Sequence, residues 1–202
     1  HLHQRPGLET IKKFNGLHDF MGWNKSILTD SGGFQIWSLN DLRKITEEGV
    51  EFKSPLDGSK VFMSPEDSID TQLTLNSDII MAFDECTDYP SSYEDAEQSM
   101  HLTHRWTERS FDYFQKHQKG HLLFGIVQGG MHEELRKQSL AYMNNLELDG
   151  IALGGLSVGE PKEDKTRILK YLAPLLPENK PHYVMGVGTP EELVEGVRHG
   201  ID

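Results

Sequence analysis

Five short, continuously apolar runs divide the chain, and polar or glycine-rich segments separate them. The runs cover residues 26–29, 78–83, 122–127, 150–153 and 182–185. Runs this short, without polar alternation, are typical of strands that are buried on both faces, as in a parallel sheet. A turn rich in glycine or aspartate and then a helical pattern follow each run, so the sequence predicts parallel βα units.

Start signals place the helices between these strands. "SPED" at 64–67 offers a serine cap, a proline in the first turn and acids near the positive end of the helix dipole. "SSYE" at 91–94 predicts a capping box before a long helix that reaches about His117. Further helices are predicted at 131–144 and 162–172, and "TPEE" at 189–192 opens another.

The segment "SPLDGSKVFMS" at 54–64 does not fit this alternation of strands and helices. Asp57 and Gly58 lie between two partly alternating stretches, which predicts a β-hairpin inserted after the first strand.

Two architectures accommodate alternating strands and helices: an open doubly wound sheet and a (β/α)8 TIM-barrel. A nucleotide-binding open sheet commonly carries a glycine-rich phosphate fingerprint at an early helix, and this sequence shows none. Polar or glycine residues follow all five strands instead, which favours a barrel whose site gathers at the strand ends. Five strands cannot close an eight-stranded barrel, so the fold is either open or cut at both ends. No repeat or linker is visible, and we expect one domain over residues 1–202.

Composition narrows the class of protein. The chain has 202 residues with 36% hydrophobic and 26% charged residues, which fits a globular domain, and no apolar run is long enough to cross a membrane. The first residues show no basic-plus-apolar signal pattern, so none of them is expected to form a signal segment. The single cysteine, Cys86, excludes an internal disulfide or a multi-cysteine metal site and favours a cytoplasmic setting. The net charge of −12 argues against nucleic-acid binding unless a local basic patch exists.

The residues that follow the strands form a distinctive set. They include the carboxylates of Asp30 and Asp84, the side-chain amide of Gln128, a thiol, an aromatic ring, a methionine and many bare backbone amides. The segments are "DSGGFQ" at 30–35, "DEC" at 84–86, "QGG" at 128–130, "GGL" at 154–156 and "MGVG" at 185–188. On a barrel they converge on one face and suit a flat heterocycle, with Phe34 and Met185 as its faces and Asp84 and Gln128 at its edge. Two acids beside a sugar–heteroatom bond indicate glycosyl chemistry.

Each member also has an ordinary structural interpretation. An aspartate after a strand is often a cap, paired glycines often permit tight turns, and a lone cysteine is often a small packed side chain. Phe34 and Met185 fit a core. His101 and His104 have a spacing that allows a shared metal, although a solvated helix face is the expected reading. The functional hypothesis rests on the coincidence of five strand ends.

Taken together and in order, "TDSGGFQ", "MAFDEC", "GIVQGG", "GIALGGLSVGE" and "MGVGTPEEL" closely resemble the tRNA-guanine transglycosylase family. The resemblance covers essentially the whole chain, and "HLHQRPG" is similar to the family's segment after the second strand. It implies a (β/α)8 barrel, of which about five βα units are present.

The resemblance implies a role for individual residues. Asp30 matches the general acid/base, Phe34 stacks on the base, and Asp84 reads its purine-like edge. Gln128 and the Gly155 amide bind the carbonyl region of the base, and Leu156 offers its carbonyl to an aminomethyl group. The remaining assignments are Glu160, which holds the Gly155–Leu156 peptide, Met185, which covers the opposite ring face, and Ser31, Cys86 and Gly186, which complete the substrate-binding set.

The implied reaction exchanges guanine at the wobble position of tRNAs with a GUN anticodon for 7-aminomethyl-7-deazaguanine (preQ1), in queuosine biosynthesis, through a covalent tRNA intermediate. Cys86 and Val158 resemble bacterial members. The implied partners are the anticodon arm of tRNA, guanine and preQ1, and a homodimer is expected for a full-length member.

The resemblance also predicts what lies outside these residues. The family's nucleophilic aspartate near the eighth strand, and its Zn²⁺ site of three cysteines and one histidine, are expected beyond residue 202, and Asp202 is not that nucleophile. The first strand and most of the second are expected before residue 1. We therefore expect this chain alone to be inactive in exchange, with no metal ligands of its own.

Two other functions stay open from the sequence. One is a non-catalytic partner subunit of a transglycosylase, which the joint presence of Asp30, Asp84 and Gln128 disfavours. The other is a barrel glycosidase or nucleoside hydrolase that acts on small molecules.

Overall fold

A computed structural model describes residues 1–38 and 43–202. The strands are β1 (Leu28–Thr29), β2 (Arg43–Ile45), β3 (Val50–Lys53), β4 (Lys60–Met63), β5 (Ile79–Met81), β6 (Leu122–Val127), β7 (Gly150–Leu153) and β8 (His182–Val184). The helices are α1 (Leu8–Lys12), α2 (Leu17–Met21), α3 (Gly33–Trp37), α4 (Pro65–Leu75), α5 (Tyr93–His117), α6 (Glu133–Asn144), α7 (Lys162–Leu172) and α8 (Pro190–Arg198). A π-helical turn precedes α1 at His3–Gly7, and a 3-10 turn follows α7 at Ala173–Leu175.

The five predicted apolar runs form one parallel sheet in the order β1-β5-β6-β7-β8. Leu28 is in register with Ile79, Val127 with Leu153, and Leu153 with Val184. Long helices separate successive strands, as βα units require. The chain therefore has the α/β fold of a partial (β/α)8 barrel, which confirms the predicted fold class.

The predicted hairpin is present and is part of a second, antiparallel sheet of order β2-β3-β4. Gly58, with φ of +72°, supplies the left-handed conformation in its turn, and its amide donates to the carbonyl of Ser54. The carboxylate of Asp57 accepts hydrogen bonds from the backbone and the hydroxyl of Ser59. Strand β2 was not predicted, because "RKI" is short and largely polar.

The described residues form two compact units. The first contains His1–Asp84 and Trp106–Leu123. In it, Trp106 has no exposed surface, stacks on Phe83 with ring centroids 4.9 Å apart, and donates its indole N–H to the carbonyl of Glu47. Arg109 binds both carboxylate oxygens of Glu66 at 2.7 and 2.8 Å, so it ties α5 to the start of α4.

The second unit contains Glu85–Arg105 and Phe124–Asp202. Its strands β6 and β7 are buried along nearly their whole length, which explains why their sequences are continuously apolar. Ala96 and Met100 of α5 pack with Leu135 of α6 in a fully buried cluster. The second unit thus has a core of its own.

Two of the three predicted cap signals are confirmed. Ser64 with Asp67 and Thr189 with Glu192 form reciprocal capping boxes at the starts of α4 and α8. The capping box predicted at 91–94 is wrong by one residue. Helix α5 begins at Tyr93, and the hydroxyl of Ser92 accepts from the amide of Asp95 and donates to its carboxylate, so the cap lies at Ser92 and its partner is an aspartate.

Within the residues that the structure describes, no helix is both long enough and apolar enough to span a bilayer.

Candidate active site

The loop that follows β1 and the end of β5 meet through Ser31 and Asp84. The hydroxyl of Ser31 donates to Oδ1 of Asp84 at 3.1 Å and accepts from the amide of Gly33 at 3.1 Å. The carbonyl of Ser31 accepts from Ser68 of α4 at 2.6 Å. Both Ser31 and Asp84 are buried to 6% exposure, so the Asp84 carboxylate is held in one orientation close to the loop backbone.

Gly33 allows this close approach. A β-carbon at position 33 would lie 2.6 Å from both the carbonyl oxygen and Oδ1 of Asp84, a distance that side chains do not tolerate. The φ angle of Gly33 is not in the left-handed region, so the requirement for glycine comes from the close contact with Asp84 and not from backbone conformation. The neighbouring Gly32, with φ of +96°, is the residue that needs glycine for its backbone conformation.

Asp30 and Phe34 lie on the same loop with their side chains accessible to solvent. Phe34, in α3, is 43% exposed. Asp30 reaches water, while partial burial by the surrounding protein raises the pKa of its carboxyl group and a hydrogen bond with the Gln35 side chain acts in the opposite direction. A raised pKa increases the fraction of Asp30 that can donate a proton near neutral pH.

A buried amide that the sequence reasoning missed fixes the strands behind this loop. The side chain of Gln72 in α4 accepts from the amide of Met81 and donates to its carbonyl, each at 2.9 Å. The hydroxyl of Thr29 at the end of β1 bonds to the same side-chain oxygen at 3.0 Å. Gln72 therefore holds the ends of β1 and β5 together, one residue before Asp30 and three residues before Asp84.

In the second unit, Gln128 follows β6 and packs directly on the Gly154–Gly155 backbone after β7. A β-carbon at Gly154 would lie 2.8 Å from Nε2 of Gln128, and one at Gly155 would lie 2.4 Å from Oε1. Gly155 also has φ of +60°. Gln128 is only 2% exposed, so the two glycines make room for a buried amide side chain.

Glu160 orients the peptide that follows Leu156. Its carboxylate accepts from the amides of Ser157 and Val158. The sequence assigned Glu160 to the Gly155–Leu156 peptide, whereas the bonded peptide is Leu156–Ser157, one step further along. Because a trans peptide directs its N–H and C=O in opposite directions, this bond turns the Leu156 carbonyl away from Glu160.

Gly186 and Met185 follow β8, and Gly186 lies beside that carbonyl. A β-carbon at Gly186 would be 3.4 Å from the oxygen of Leu156, and Gly186 has φ of +72°. The amide of Met185 donates to the carbonyl of Leu153 at 3.0 Å, which extends the β7–β8 pairing by one residue. Met185 is half-buried.

Two polar residues on the buried face of α6 support Gln128 and the glycines, and neither role was predicted from the sequence. Arg136 of α6 donates to the carbonyls of Val127, the last residue of β6, and Gly154, the first residue after β7. Ser139, three residues further on, accepts from the amide of Gln128 at 3.2 Å and contacts Nε2 of His104 at 3.2 Å.

His104 is 5% exposed and stacks on Tyr142 at 4.0 Å, so the expected solvated helix face is wrong for it. Burial, followed by the nearby charges of His101 and Arg105, lowers the pKa of His104 to about 4. It is therefore neutral at pH 7.

Cys86 is a buried side chain, with 4% exposure, whose thiol lies 3.8 Å from the carbonyl of Thr87. In the part of the chain that the structure describes, no three His, Cys, Asp or Glu side chains form a group that could hold a metal ion. The described side chains therefore do not fit a zinc ion.

The structure thus places the sequence-predicted residues in two groups. Asp30, Ser31, Phe34 and Asp84 belong to the first unit, where Ser31 and Asp84 are in contact. The second unit contains the other members, which are Cys86, Gln128, Gly155, Leu156, Glu160, Met185 and Gly186. There the structure brings Gln128 to Gly155, and Leu156 to Gly186.

These features define a class: a barrel-type α/β protein whose parallel strands end in carboxylate, amide and bare backbone groups. Comparison with known proteins then gives the family. A family model described as "Queuine tRNA-ribosyltransferase" matches residues 1–202. The chain belongs to this family.

Proteins named queuine tRNA-ribosyltransferase are similar to the chain over its whole length. The one from Dechloromonas aromatica (strain RCB) is 60% identical over 202 residues and that from Janthinobacterium sp. (strain Marseille) is 59% identical over 207 residues, and in each case the match covers 100% of this chain and 55% of the relative. That from Haemophilus influenzae (strain 86-028NP) is 57% identical, with 53% of it covered. The chain therefore spans about half the length of the curated relatives it matches.

Proposed function

We propose that this chain supplies the base-recognition and proton-transfer residues of a tRNA-guanine transglycosylase. The reaction exchanges guanine at the wobble position of tRNAs with a GUN anticodon for 7-aminomethyl-7-deazaguanine, within queuosine biosynthesis. The observation that carries the proposal is the family match over residues 1–202, together with residues of this chain that match the base-recognition and proton-transfer positions which the resemblance implies.

The proposed chemistry is a double displacement. An aspartate that the family carries near its eighth strand attacks the anomeric carbon of the ribose, the glycosidic bond breaks, and Asp30 protonates the departing guanine. The incoming base then attacks the same carbon and releases the enzyme carboxylate, while Asp30 accepts the proton of that base. The raised pKa of Asp30 supports the donating step, and its exposure to solvent supports the reverse transfer.

Recognition of the base is assigned to fixed polar groups. Asp84, oriented by Ser31, accepts hydrogen bonds from the N–H edge of the purine. Gln128 and the amide of Gly155 bind its carbonyl region, and Phe34 and Met185 cover the ring. The carbonyl of Leu156, turned by Glu160, accepts from the aminomethyl group. Cys86 and Gly186 complete the pocket walls.

Several coarser expectations belong to the same proposal. We propose that residues 1–202 act as one catalytic domain, that the complete protein binds the anticodon arm of tRNA as a homodimer, and that it works in the cytoplasm. The lone cysteine supports a reducing compartment. A structural Zn²⁺ is proposed for the complete protein, with ligands outside the described residues.

Exchange of labelled guanine into a tRNA with a GUN anticodon tests the proposal. The complete encoded polypeptide is expected to incorporate guanine, and Asp30→Asn is expected to reduce the rate by at least about a hundredfold, since an amide cannot supply the proton. Asp112→Asn, a matched change on the exposed face of α5, is the control and is expected to leave exchange unchanged.

Two outcomes would overturn the proposal. Absence of exchange together with hydrolysis of a free nucleoside would assign the protein to small-molecule hydrolases. Full exchange by Asp30→Asn would show that another group transfers the proton.

A further inference from the structure

Arg136 lies in the second unit as a buried cation whose partners are all backbone carbonyls. It has no exposed surface. Its Nε donates to Gly130 at 2.7 Å, one Nη donates to Val127 at 2.9 Å and to Gly154 at 2.6 Å, and the other Nη donates to Gly155 at 3.1 Å. One guanidinium therefore ties together the segments after β6 and β7.

The charge requires an explanation beyond packing. A buried, ionised side chain is costly, and neutral side chains can also satisfy carbonyl groups. Burial lowers the pKa of Arg136 to about 10, which leaves the group protonated at neutral pH. Burying a neutral hydrogen-bond donor at this position would cost less free energy than burying a cation. Because the buried side chain is nevertheless charged, we expect its charge to polarise the carbonyl groups that it binds.

Two of the four carbonyls that Arg136 binds, those of Gly154 and Gly155, belong to the peptides that flank Gly155. The carbonyl of Gly154 and the amide of Gly155 belong to one peptide, and the shortest Arg136 contact is to that carbonyl. A positive charge on a carbonyl oxygen draws electron density through the planar amide and makes its N–H a stronger donor. Since N–H and C=O lie on opposite sides of a trans peptide, the Gly155 N–H points away from Arg136.

The absence of a side chain at Gly155 leaves room for Arg136 beside this backbone. A β-carbon at Gly155 would lie 3.1 Å from an Nη atom of Arg136 and 2.4 Å from Oε1 of Gln128. Arg136 and Gln128 therefore both approach the same stretch of backbone.

We propose that Arg136 is a positioning residue that fixes the Gly154–Gly155 peptide and strengthens the Gly155 N–H as a hydrogen-bond donor to the carbonyl oxygen of the bound base. This inference rests on the proposed function, because that function assigns the Gly155 amide to the base carbonyl. Arg136 itself touches no substrate atom in this assignment.

A comparison of two bases separates this role from general damage. Guanine and 6-thioguanine share the ring and its N–H donors, but sulfur is a much weaker acceptor than the carbonyl oxygen that it replaces. In the complete polypeptide, Arg136→Met is expected to weaken guanine binding by at least about tenfold and 6-thioguanine binding by less than about twofold. Arg136→Lys, which keeps a charge, is expected to lie between wild type and Arg136→Met.

The matched control is Arg167→Met, the same change at a half-exposed arginine of α7, and it is expected to leave both affinities unchanged. Equal weakening for the two bases, or none for either, would overturn the inference. If wild type exchanges guanine while this pattern is absent, only the role of Arg136 fails. If wild type neither exchanges nor binds guanine, the proposed function fails.

A measurement on the unaltered protein covers the case in which the Arg136 variants do not fold. With glycine labelled with ¹⁵N, the Gly155 amide proton is expected to resonate downfield of ordinary glycine amides in the free protein. Guanine is expected to shift it further downfield, and 6-thioguanine is expected to shift it less. A Gly155 amide at an ordinary position that neither base moves would contradict the proposal.

Discussion

At the scale of single residues, the candidate site depends on positions where a side chain is absent as much as on those where one is present. Gly33 lets Asp84 approach the first loop, and Gly154 and Gly155 admit Gln128. The buried polar groups are held by hydrogen bonds to the backbone, which satisfy their polarity and fix their direction. Small substitutions at these glycines should therefore weaken substrate binding in addition to lowering overall stability.

Gly33→Ala tests this at one contact. The new methyl group would lie 2.6 Å from Asp84, so the carboxylate has to move, and we expect guanine affinity to fall by at least about tenfold. The expected loss of stability is about 1–3 kcal/mol, the usual cost of an overpacked site. Guanine binding by calorimetry and urea unfolding measure the two effects.

Gly196→Ala is the matched control for that substitution. A β-carbon at this position in α8 meets only ordinary contacts, the nearest at 3.7 Å, so guanine binding is expected to stay unchanged. Stability is expected to rise by up to about 1 kcal/mol, as for other glycine-to-alanine changes inside helices. Unchanged guanine binding in Gly33→Ala would show that Asp84 does not need its observed position.

Glu160→Gln tests the orientation of the Leu156–Ser157 peptide. An amide side chain has one acceptor oxygen where the carboxylate has two, so it cannot serve the amides of Ser157 and Val158 equally. The Leu156 carbonyl is then less firmly directed. We expect binding of 7-aminomethyl-7-deazaguanine to weaken by about tenfold and guanine binding by less than about threefold, in parallel titrations.

Glu163→Gln, at the exposed start of α7, provides the comparison and should change neither affinity. A loss of the same size for both bases in Glu160→Gln would mean that Glu160 supports the whole site and not the carbonyl of Leu156 alone.

At the scale of helices and strands, the sequence predicts the elements whose positions follow from the pattern of apolar residues. The five parallel strands occur where continuous apolar runs predicted them, because strands buried on both faces cannot hold polar residues. The strand-end residues could be found because they follow those runs directly. The antiparallel strand β2 and the short helices α1 and α2 were missed, since short segments carry little periodic signal.

The buried polar supports were harder to predict than the site itself. Gln72, His104 and Arg136 have residue types that usually face water, and their burial depends on which distant backbone groups need partners. One feature of the sequence does indicate that Arg136 lies on the buried face of its helix. It lies three, four and seven residues before Ser139, Leu140 and Met143, which places it on the buried face of α6. Only the folded backbone shows which carbonyls it serves.

The ionisation of Glu192, at the start of helix α8, is expected to make the free energy of unfolding depend on pH in acid. A hydrogen bond from Lys165, and then those from Thr189, lower the pKa of Glu192 to about 2. A carboxyl group whose pKa is lower in the folded state stabilises the fold above its unfolded pKa, about 4.3, and this stabilisation is lost as the pH falls towards 2. We expect Glu192→Gln to cost about 1 kcal/mol at pH 6, less than the full pKa shift implies, because the ion pair still reaches water.

Urea unfolding between pH 6 and pH 2 measures this difference, which should shrink towards zero at the acid end. Glu191→Gln, the neighbouring exposed acid, should leave the acid dependence of wild type in place. A constant difference between wild type and Glu192→Gln at all pH values would show that the effect comes from packing and not from ionisation.

At the scale of the whole chain, charge is the property that fits the proposed tRNA partner least well. The chain has 32 acids and 20 bases, for a net charge of −12, whereas RNA-binding surfaces are usually basic. Electrostatic repulsion acts over the Debye length, about 30 Å at 0.01 M salt and about 8 Å at 0.15 M. Acids remote from the site should therefore slow the approach of tRNA at low salt and have little effect at physiological salt.

Glu147 and Glu178 provide the test, because both are exposed and lie before the amino-terminal ends of β7 and β8, opposite to the strand ends that carry the candidate site. Replacing both with glutamine changes the charge from −12 to −10. We expect the tRNA association rate at 0.01 M salt to rise by up to about threefold, with no change at 0.15 M and no change in guanine affinity.

Lys180→Gln, which changes the charge to −13, should slow association at low salt in stopped-flow measurements. An equal acceleration at both salt concentrations would mean that these glutamates act through local contact with the RNA, since screening at 0.15 M removes the long-range field and leaves only short-range interactions.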